Sequence, residues 1–186
     1  NARQAATDQH ALTIRAGDIA KGYQVPGQFV QIKVPGGEGK PGFFAIASPP
    51  PKADEGGEGL LEFLVKVTAS TMPLISAKSG DEVEMSPVMG KGFPIKENFS
   101  GYKYDFPVQN VVLMATGTGI APFRAAIESG ALELPDDEDN GVFGRSCRLY
   151  WGCKDEESIP WPDRLKEWEA KNVEVVPVLS EPSECE

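Results

Sequence analysis

Histidine is almost missing from this chain: His10 is the single one among 186 residues. A histidine-ligated zinc site and a Ser–His–Asp triad both need imidazole at the reacting centre, so neither is expected. Cysteine is scarce as well. Cys147, Cys153 and Cys185 show no metal-ligand spacing. Cys147 and Cys153, six residues apart on one strand-like run, are too far apart to bridge. A disulfide scaffold is therefore set aside, and a reducing compartment is expected. Cations are outnumbered, with 18 Lys and Arg against 28 Asp and Glu and a net charge of −10. Without a basic run there is little to neutralise a row of phosphates. Nucleic acid and anionic membrane surfaces are not expected as partners. The longest apolar run, 111–115, is far short of a membrane-spanning helix, so no membrane insertion is expected. The chain also opens on Asn1 and not on Met. Either a targeting segment has been removed or this is a piece of a longer chain, and no signal or transit peptide pattern is visible in what is present.

What is present is ordinary globular composition, 40% hydrophobic and 25% charged, with 20 Gly and 16 Pro to make turns. The texture changes along the chain. Up to about residue 97, short apolar runs (11–15, 28–34, 43–48, 60–68 and 82–86) alternate with Gly- and Pro-rich stretches. The run 28–34 alternates at period 2, as a half-buried strand does. The run 60–67 is more continuously apolar, which predicts burial on both sides. Strands at this spacing predict a small antiparallel barrel. A short helix is predicted after Ser70 or Thr71, with Pro73 in its first turn, Leu74, Ile75 and Ala77 facing inward, and Gly80 closing it.

Beyond a linker at 98–110 the pattern becomes β-α-β-α-β. The run 111–115 reads as a short buried strand, 148–152 and 173–179 as strands, and two helices lie between them. Pro122 opens the first, with Phe123, Ala126 and Ile127 inward and Gly130 stopping it. The second, 162–171, places Trp161, Leu165 and Trp168 on one face, more in keeping with packing on the sheet than with a partner surface. Such a pattern predicts a parallel sheet with right-handed crossovers.

The sharpest motif is Gly117-Thr118-Gly119-Ile120-Ala121-Pro122, between a strand and a helix. Glycines let a backbone approach a pyrophosphate, and a helix start offers N–H groups with the positive end of its dipole. The same glycines would also suit a tight turn with no ligand. No acidic residue ends the second strand; Lys154 stands there and could face a 2′-phosphate, or simply be solvated beside Asp155, Glu156 and Glu157.

Five segments in order resemble the ferredoxin–NADP reductase superfamily: Pro26-Gly27-Gln28-Phe29, Phe43-Phe44-Ala45-Ile46-Ala47-Ser48, Gly117-Thr118-Gly119-Ile120-Ala121-Pro122, Leu149-Tyr150-Trp151-Gly152, and Val175-Val176-Pro177-Val178. With Val88-Met89-Gly90-Lys91-Gly92-Phe93, they look closest to the plastid-type FAD/NAD(P)-binding oxidoreductase-like proteins of plants and algae. The resemblance implies a Greek-key β-barrel that binds FAD over 1–97 and a Rossmann-like NAD(P)-binding domain over 111–186, incomplete at its C-terminal end. It implies that Phe44 packs on the flavin ring, that Phe44, Ala45, Ile46 and Ala47 offer backbone groups to its edge with Ser48 completing the motif, and that Val65 and Val67 line the ribityl side. Ser70 and Thr71 would hold the flavin phosphates, and Thr116, Gly117, Thr118 and Gly119 would contact NAD(P)H. A plastid location is expected on the same ground.

Two positions depart from the family pattern. Gly42 stands where the family has a phosphate-binding Arg, and Ala45 where it has a Ser beside flavin N5. Lost charge-assisted contacts typically cost about 1.5–3 kcal/mol, and Lys40 or Lys66 could substitute. The family's further Cys-Gly motif and terminal aromatic segment are missing too; Cys185 has the wrong neighbours. Two functions follow as expectations. One is a flavoenzyme that takes a hydride from NAD(P)H and passes electrons to an unidentified acceptor, with an acidic ferredoxin disfavoured by like charge. The other is a reductase-like structural or assembly subunit of a larger complex, with weak or no redox activity.

Overall fold

The computed structural model describes residues 1–33, 40–51, 59–99, 108–135 and 144–182. The loop 35–42 lies partly, and the acidic loop 136–140 and Cys185 wholly, outside the described residues. Among the described residues, the N-terminal half contains six strands: β1 (Ala2–Ala6), β2 (Gln9–Arg15), β3 (Phe29–Lys33), β4 (Gly42–Ala45), β5 (Leu60–Lys66) and β6 (Glu84–Met85). They pair in two antiparallel sheets, ordered β1-β2-β5 and β4-β3-β6. One bridge, Ile46 to Phe63, ties the sheets together. The expected barrel is thus two three-stranded sheets face to face, and hydrogen-bonded closure is not seen among the described residues.

The continuous apolar character of β5 has the predicted meaning. Leu61, Phe63 and Val65 enter a core with Val30, Ile32, Ile46 and Tyr23. Leu64, on the opposite side, enters a second core. The helix α1 (Met72–Ile75) is a single turn, shorter than expected, because Ser76 already caps it. Thr71 stands at its N-cap and makes no side-chain cap bond; its hydroxyl instead donates to the Lys66 carbonyl at 2.6 Å. Two elements are not anticipated from the sequence: β1, and α2 (Ile95–Phe99), which runs across the expected boundary between the first half and the linker.

The C-terminal half is β7 (Asn110–Thr116), α3 (Ala121–Glu128), β8 (Ser146–Cys153), α4 (Pro162–Glu169) and β9 (Val173–Leu179). The three strands are parallel in the order β7-β8-β9. Both crossovers step the same way, and right-handed connections then put α3 and α4 on one face. That face carries Leu113, Ala115, Cys147, Leu149, Trp151 and Val173. Trp161 and Trp168 are buried against it, so the tryptophans pack the sheet. The other face is uncovered among the described residues: Val112 is 56% and Met114 73% exposed. The run 111–115 is therefore half-buried, a correction to the sequence expectation, because its alternate side chains point away from both helices.

Ala11, Ala47 and Leu64 from the antiparallel half share one apolar cluster with Ile120, Leu149 and Trp151. Main-chain and side-chain bonds cross the same seam. The Thr7 N–H donates to the Glu157 carbonyl at 3.1 Å, and buried Gln9 donates Nε2–H to the Ser158 carbonyl at 3.0 Å.

Candidate cofactor sites

The glycine motif forms a 3-10 turn, Gly117–Ile120, at the carboxyl end of β7. Gly117 has φ +47°, a conformation that disfavours side chains, and its carbonyl accepts a bond from Trp151 Nε1 at 3.3 Å. That bond anchors the turn to β8. Nothing lies within 4 Å of where a Cβ would sit on Gly117 or Gly119, so the loop is open to a close-approaching ligand. Thr116 and Gly119 are exposed, while Ile120 below them is fully buried. The turn runs directly into α3, with the Ala121 N–H donating back to the Thr118 carbonyl and Pro122 in the first turn of the helix. In a parallel sheet the crevice beyond the strands' carboxyl ends is where ligands sit.

Lys154 follows β8 at that same end. Its ammonium pairs with Glu181 at 3.3 Å on the surface. Asp155 is not turned toward a ribose. Its Oδ1 accepts from the Ser158 hydroxyl at 2.6 Å and from the Ser158 N–H at 2.8 Å. The Ser158 hydroxyl, foremost, holds the Asp155 carboxyl below its usual range. A hollow of about 620 Å³ at the opposite, amino end of the sheet is lined by Asn110, Ser146, Arg148 and Glu174, away from the glycine turn.

In the antiparallel half, the residues expected at the flavin lie on β4 and just beyond it. The Ile46 N–H donates to the Gln28 carbonyl at 3.2 Å, so even-numbered residues of this strand bond to β3. By the alternation of an antiparallel ladder, the N–H and C=O of Phe43 and Ala45 point outward along the edge of β4. β4 is terminal in its sheet, so that edge is available at Phe43; beyond Ala45 the Ile46–Phe63 bridge and the Ala47 N–H to Glu62 carbonyl bond turn the same edge toward β5. Ile46 and Ala47 are fully buried, and their N–H groups already donate to the Gln28 carbonyl at 3.2 Å and the Glu62 carbonyl at 2.7 Å. Val65 is 2% exposed inside the core, so its side chain does not line an open site, contrary to expectation; Val67 is half-buried. Ser48 is held at both ends: its Oγ accepts from the Glu62 N–H at 3.2 Å, and its carbonyl accepts from the Tyr23 hydroxyl at 2.9 Å.

Phe44 packs edge-on to Phe63, ring centroids 6.5 Å apart, and lies across Gly42. A Cβ on Gly42 would meet the Phe44 ring at 2.8 Å. The more exposed aromatic of this strand is Phe43, at 67%, beside Phe29. The expected phosphate end is less well supplied. The Ser70 and Thr71 hydroxyls bond to Thr68 Oγ1 at 3.0 and 2.9 Å, closing a local polar knot. Lys66 is paired with Asp8 at 3.2 Å. The residues therefore fit the polar edge of a flat heterocycle through the β4 backbone, while a phosphate would have to compete with existing partners. Among the described residues no group of His, Cys, Asp and Glu could hold a metal ion. No helix of the described residues is long and apolar enough to cross a membrane.

Sequence reasoning passed over Arg124 and Glu62. Arg124 stands inside the apolar stripe of α3 with Glu128 four residues on, the spacing of a helical ion pair. That pairing was the available signal.

Two antiparallel sheets, then a parallel sheet with a glycine turn at its carboxyl end, make the fold of the ferredoxin–NADP reductase type. Residues 113–186 match the family described as Oxidoreductase NAD-binding domain. Among curated proteins, the chain is 35% identical over 175 residues to the fruit protein pKIWI502 of Actinidia deliciosa, covering 90% of this chain and 50% of that protein. The chain thus spans about half the length of that relative. Among solved structures, a ferredoxin–NADP+ reductase from Neisseria gonorrhoeae with bound FAD and NADP superposes at TM-score 0.73 and 18% identity, over 99% of this chain and 67% of that one. The CS-b5R domains of human Ncb5or, in the NAD+ form, superpose at 0.71 and 23%, over 100% and 51%. Amycolatopsis cytochrome P450 reductase GcoB superposes at 0.70 and 22%, over 99% and 51%. These likenesses establish the shared fold.

Proposed function

We propose that this chain is the cofactor-binding part of an NAD(P)H-dependent flavin oxidoreductase, with residues 1–97 holding FAD, 98–110 connecting, and 111–186 holding the dinucleotide. The observation that carries this reading is the shared apolar seam. It places Ala47, in the continuation of the β4 strand, and Ile120, at the end of the Gly117 turn, in one apolar cluster. Two cofactor segments held that close suit transfer between two rings. A flavin bound here would supply the redox chemistry, a two-electron oxidation of NAD(P)H to NAD(P)+ by hydride transfer. The protein's own part is alignment and exclusion of water. Phe43, with Ala45 where the edge turns toward β5, would offer outward backbone groups to the flavin edge, and Phe44 would give the site an apolar wall. Thr116, Gly117, Thr118 and Gly119 approach the dinucleotide pyrophosphate by backbone. Lys154 stands at the end where a 2′-phosphate would lie, and such a phosphate would have to displace Glu181. No side chain is needed as acid or base, in keeping with a single histidine.

The test is a visible absorption spectrum of the purified chain loaded with FAD, before and after anaerobic NADPH or NADH. Flavin bands that bleach support the enzyme. A chain that takes up no flavin favours the second reading, a reductase-like structural or assembly subunit, which Gly42 under the Phe44 ring already motivates. A plastid location is proposed on the motif resemblance, and imaging of the full-length protein fused to a fluorescent tag in plant cells checks it.

A further inference from the structure

Arg124 belongs to neither cofactor segment, yet it is 3% exposed in the first turn of α3. A buried guanidinium must be paired on every side or it costs stability. Its Nε donates to Glu128 Oε1 at 3.1 Å, and its carbon lies 4.5 Å from the centre of the Trp161 ring. Glu128 is itself fixed, because the same oxygen accepts from Arg164 Nη1 and Trp168 Nε1, each at 3.2 Å. The C-terminal half therefore clamps the arginine from one side. From the other side comes Glu62 of β5, whose Oε2 accepts from Arg124 Nη2 at 2.5 Å.

Glu62 holds something else as well. Its carbonyl accepts from the Ala47 N–H at 2.7 Å, and its own N–H donates to Ser48 Oγ at 3.2 Å. One residue thus grips the β4 continuation by its backbone and the helix behind the glycine turn by its side chain. The apolar seam beside it is built partly of small residues, Ala11, Ala47 and Ala121. Apolar contact holds two surfaces together with little directional preference. An ion pair of fixed geometry is what prevents sliding.

We propose that Glu62 and Arg124 are a positioning pair that sets the separation and angle between the flavin segment and the dinucleotide loop. This rests on the function proposed above. The pair acts through the segments it holds, and ring-to-ring transfer is steep in distance, so that a misplacement of about 1 Å can cost roughly a hundredfold.

The experiment compares the FAD-loaded chain with its Glu62→Ala and Glu62→Gln variants. Three quantities are read: calorimetric affinity for oxidised dinucleotide, affinity for FAD, and the rate of flavin bleaching at saturating reduced dinucleotide. Melting temperature is followed alongside. With alanine, the two affinities should stay within about threefold while the bleaching rate falls roughly tenfold or more. Glutamine keeps an oxygen for Arg124 and should recover most of that rate. Bleaching at the unmodified rate in the alanine variant overturns the pair. So does a loss that tracks lost affinity or lost folding in both variants. If the unmodified chain itself binds no flavin or is not reduced, the proposed function falls instead, so the two failures are told apart before any variant is made.

Discussion

At the scale of single residues, the Phe44–Gly42 contact is where this chain departs most from the pattern it resembles. An arginine at 42 and the Phe44 ring as it lies here exclude one another, because the ring occupies the space of the Cβ. Gly42→Ala should cost about 1 kcal/mol by overpacking, read by urea unfolding. Shrinking the ring relieves the clash, so Gly42→Ala with Phe44→Leu should cost less than the two single changes summed. Strictly additive values would show that the ring moves aside freely. The buried thiols give a second residue-scale expectation. Burial pushes Cys147 and Cys153 up from 9.0 to about 11, and burial raises the Tyr23 phenol as well. A group raised on folding adds stability below its unfolded value and loses it as pH climbs toward its folded value. Melting temperature should therefore fall progressively between pH 9 and about 11. At neutral pH the same thiols should resist iodoacetamide until denaturant is added.

At the scale of elements, the turn after β7 separates what a glycine does for the backbone from what it does for a ligand. Gly117 has positive φ and Gly119 does not, yet both have open space around them. Gly117→Ala should destabilise by about 1–2 kcal/mol through backbone strain. Gly119→Ala should be close to neutral in a thermal melt and still weaken dinucleotide binding, because its methyl projects from an exposed loop. Calorimetry beside the melts would show it, and unchanged affinity for Gly119→Ala would remove that residue from the proposed site. The elements most legible in the sequence are those whose apolar spacing and punctuation agree. β9 was read with its observed bounds, and α3 by Pro122 and Gly130. β1 was illegible because Ala2-Arg3-Gln4-Ala5-Ala6 is held by its ladder to β2 and not by apolar alternation of its own. Position 62 was equally hidden. A carboxylate on a mostly buried strand looks like the solvent side of an alternation until the partner across 62 residues is known.

At the scale of the whole molecule, the seam makes the two halves interdependent. Residues 1–97 expressed alone would leave Ala11, Ala47 and Leu64 without Ile120 and Leu149 to cover them. That fragment should melt broadly and bind a hydrophobic dye, whereas the 186-residue chain should melt in one sharp step. A cooperative melt of the fragment would mean that the seam joins two self-sufficient units. The order of the sheets was readable from texture alone, since turn-rich strands and a β-α-β pattern imply different layers. Their joint core was not, because the small residues on it carry no signal of which partner they face.

The same seam has a meaning in time. A ribosome releases the chain from its amino end at about 5–20 residues per second. Leu64 and Ala47 are therefore made before the Ile120 and Leu149 that will cover them. For several seconds the first half waits with one apolar side open. Synthesis speed across the intervening stretch, or a chaperone that shields that side, becomes part of how the molecule reaches its final form.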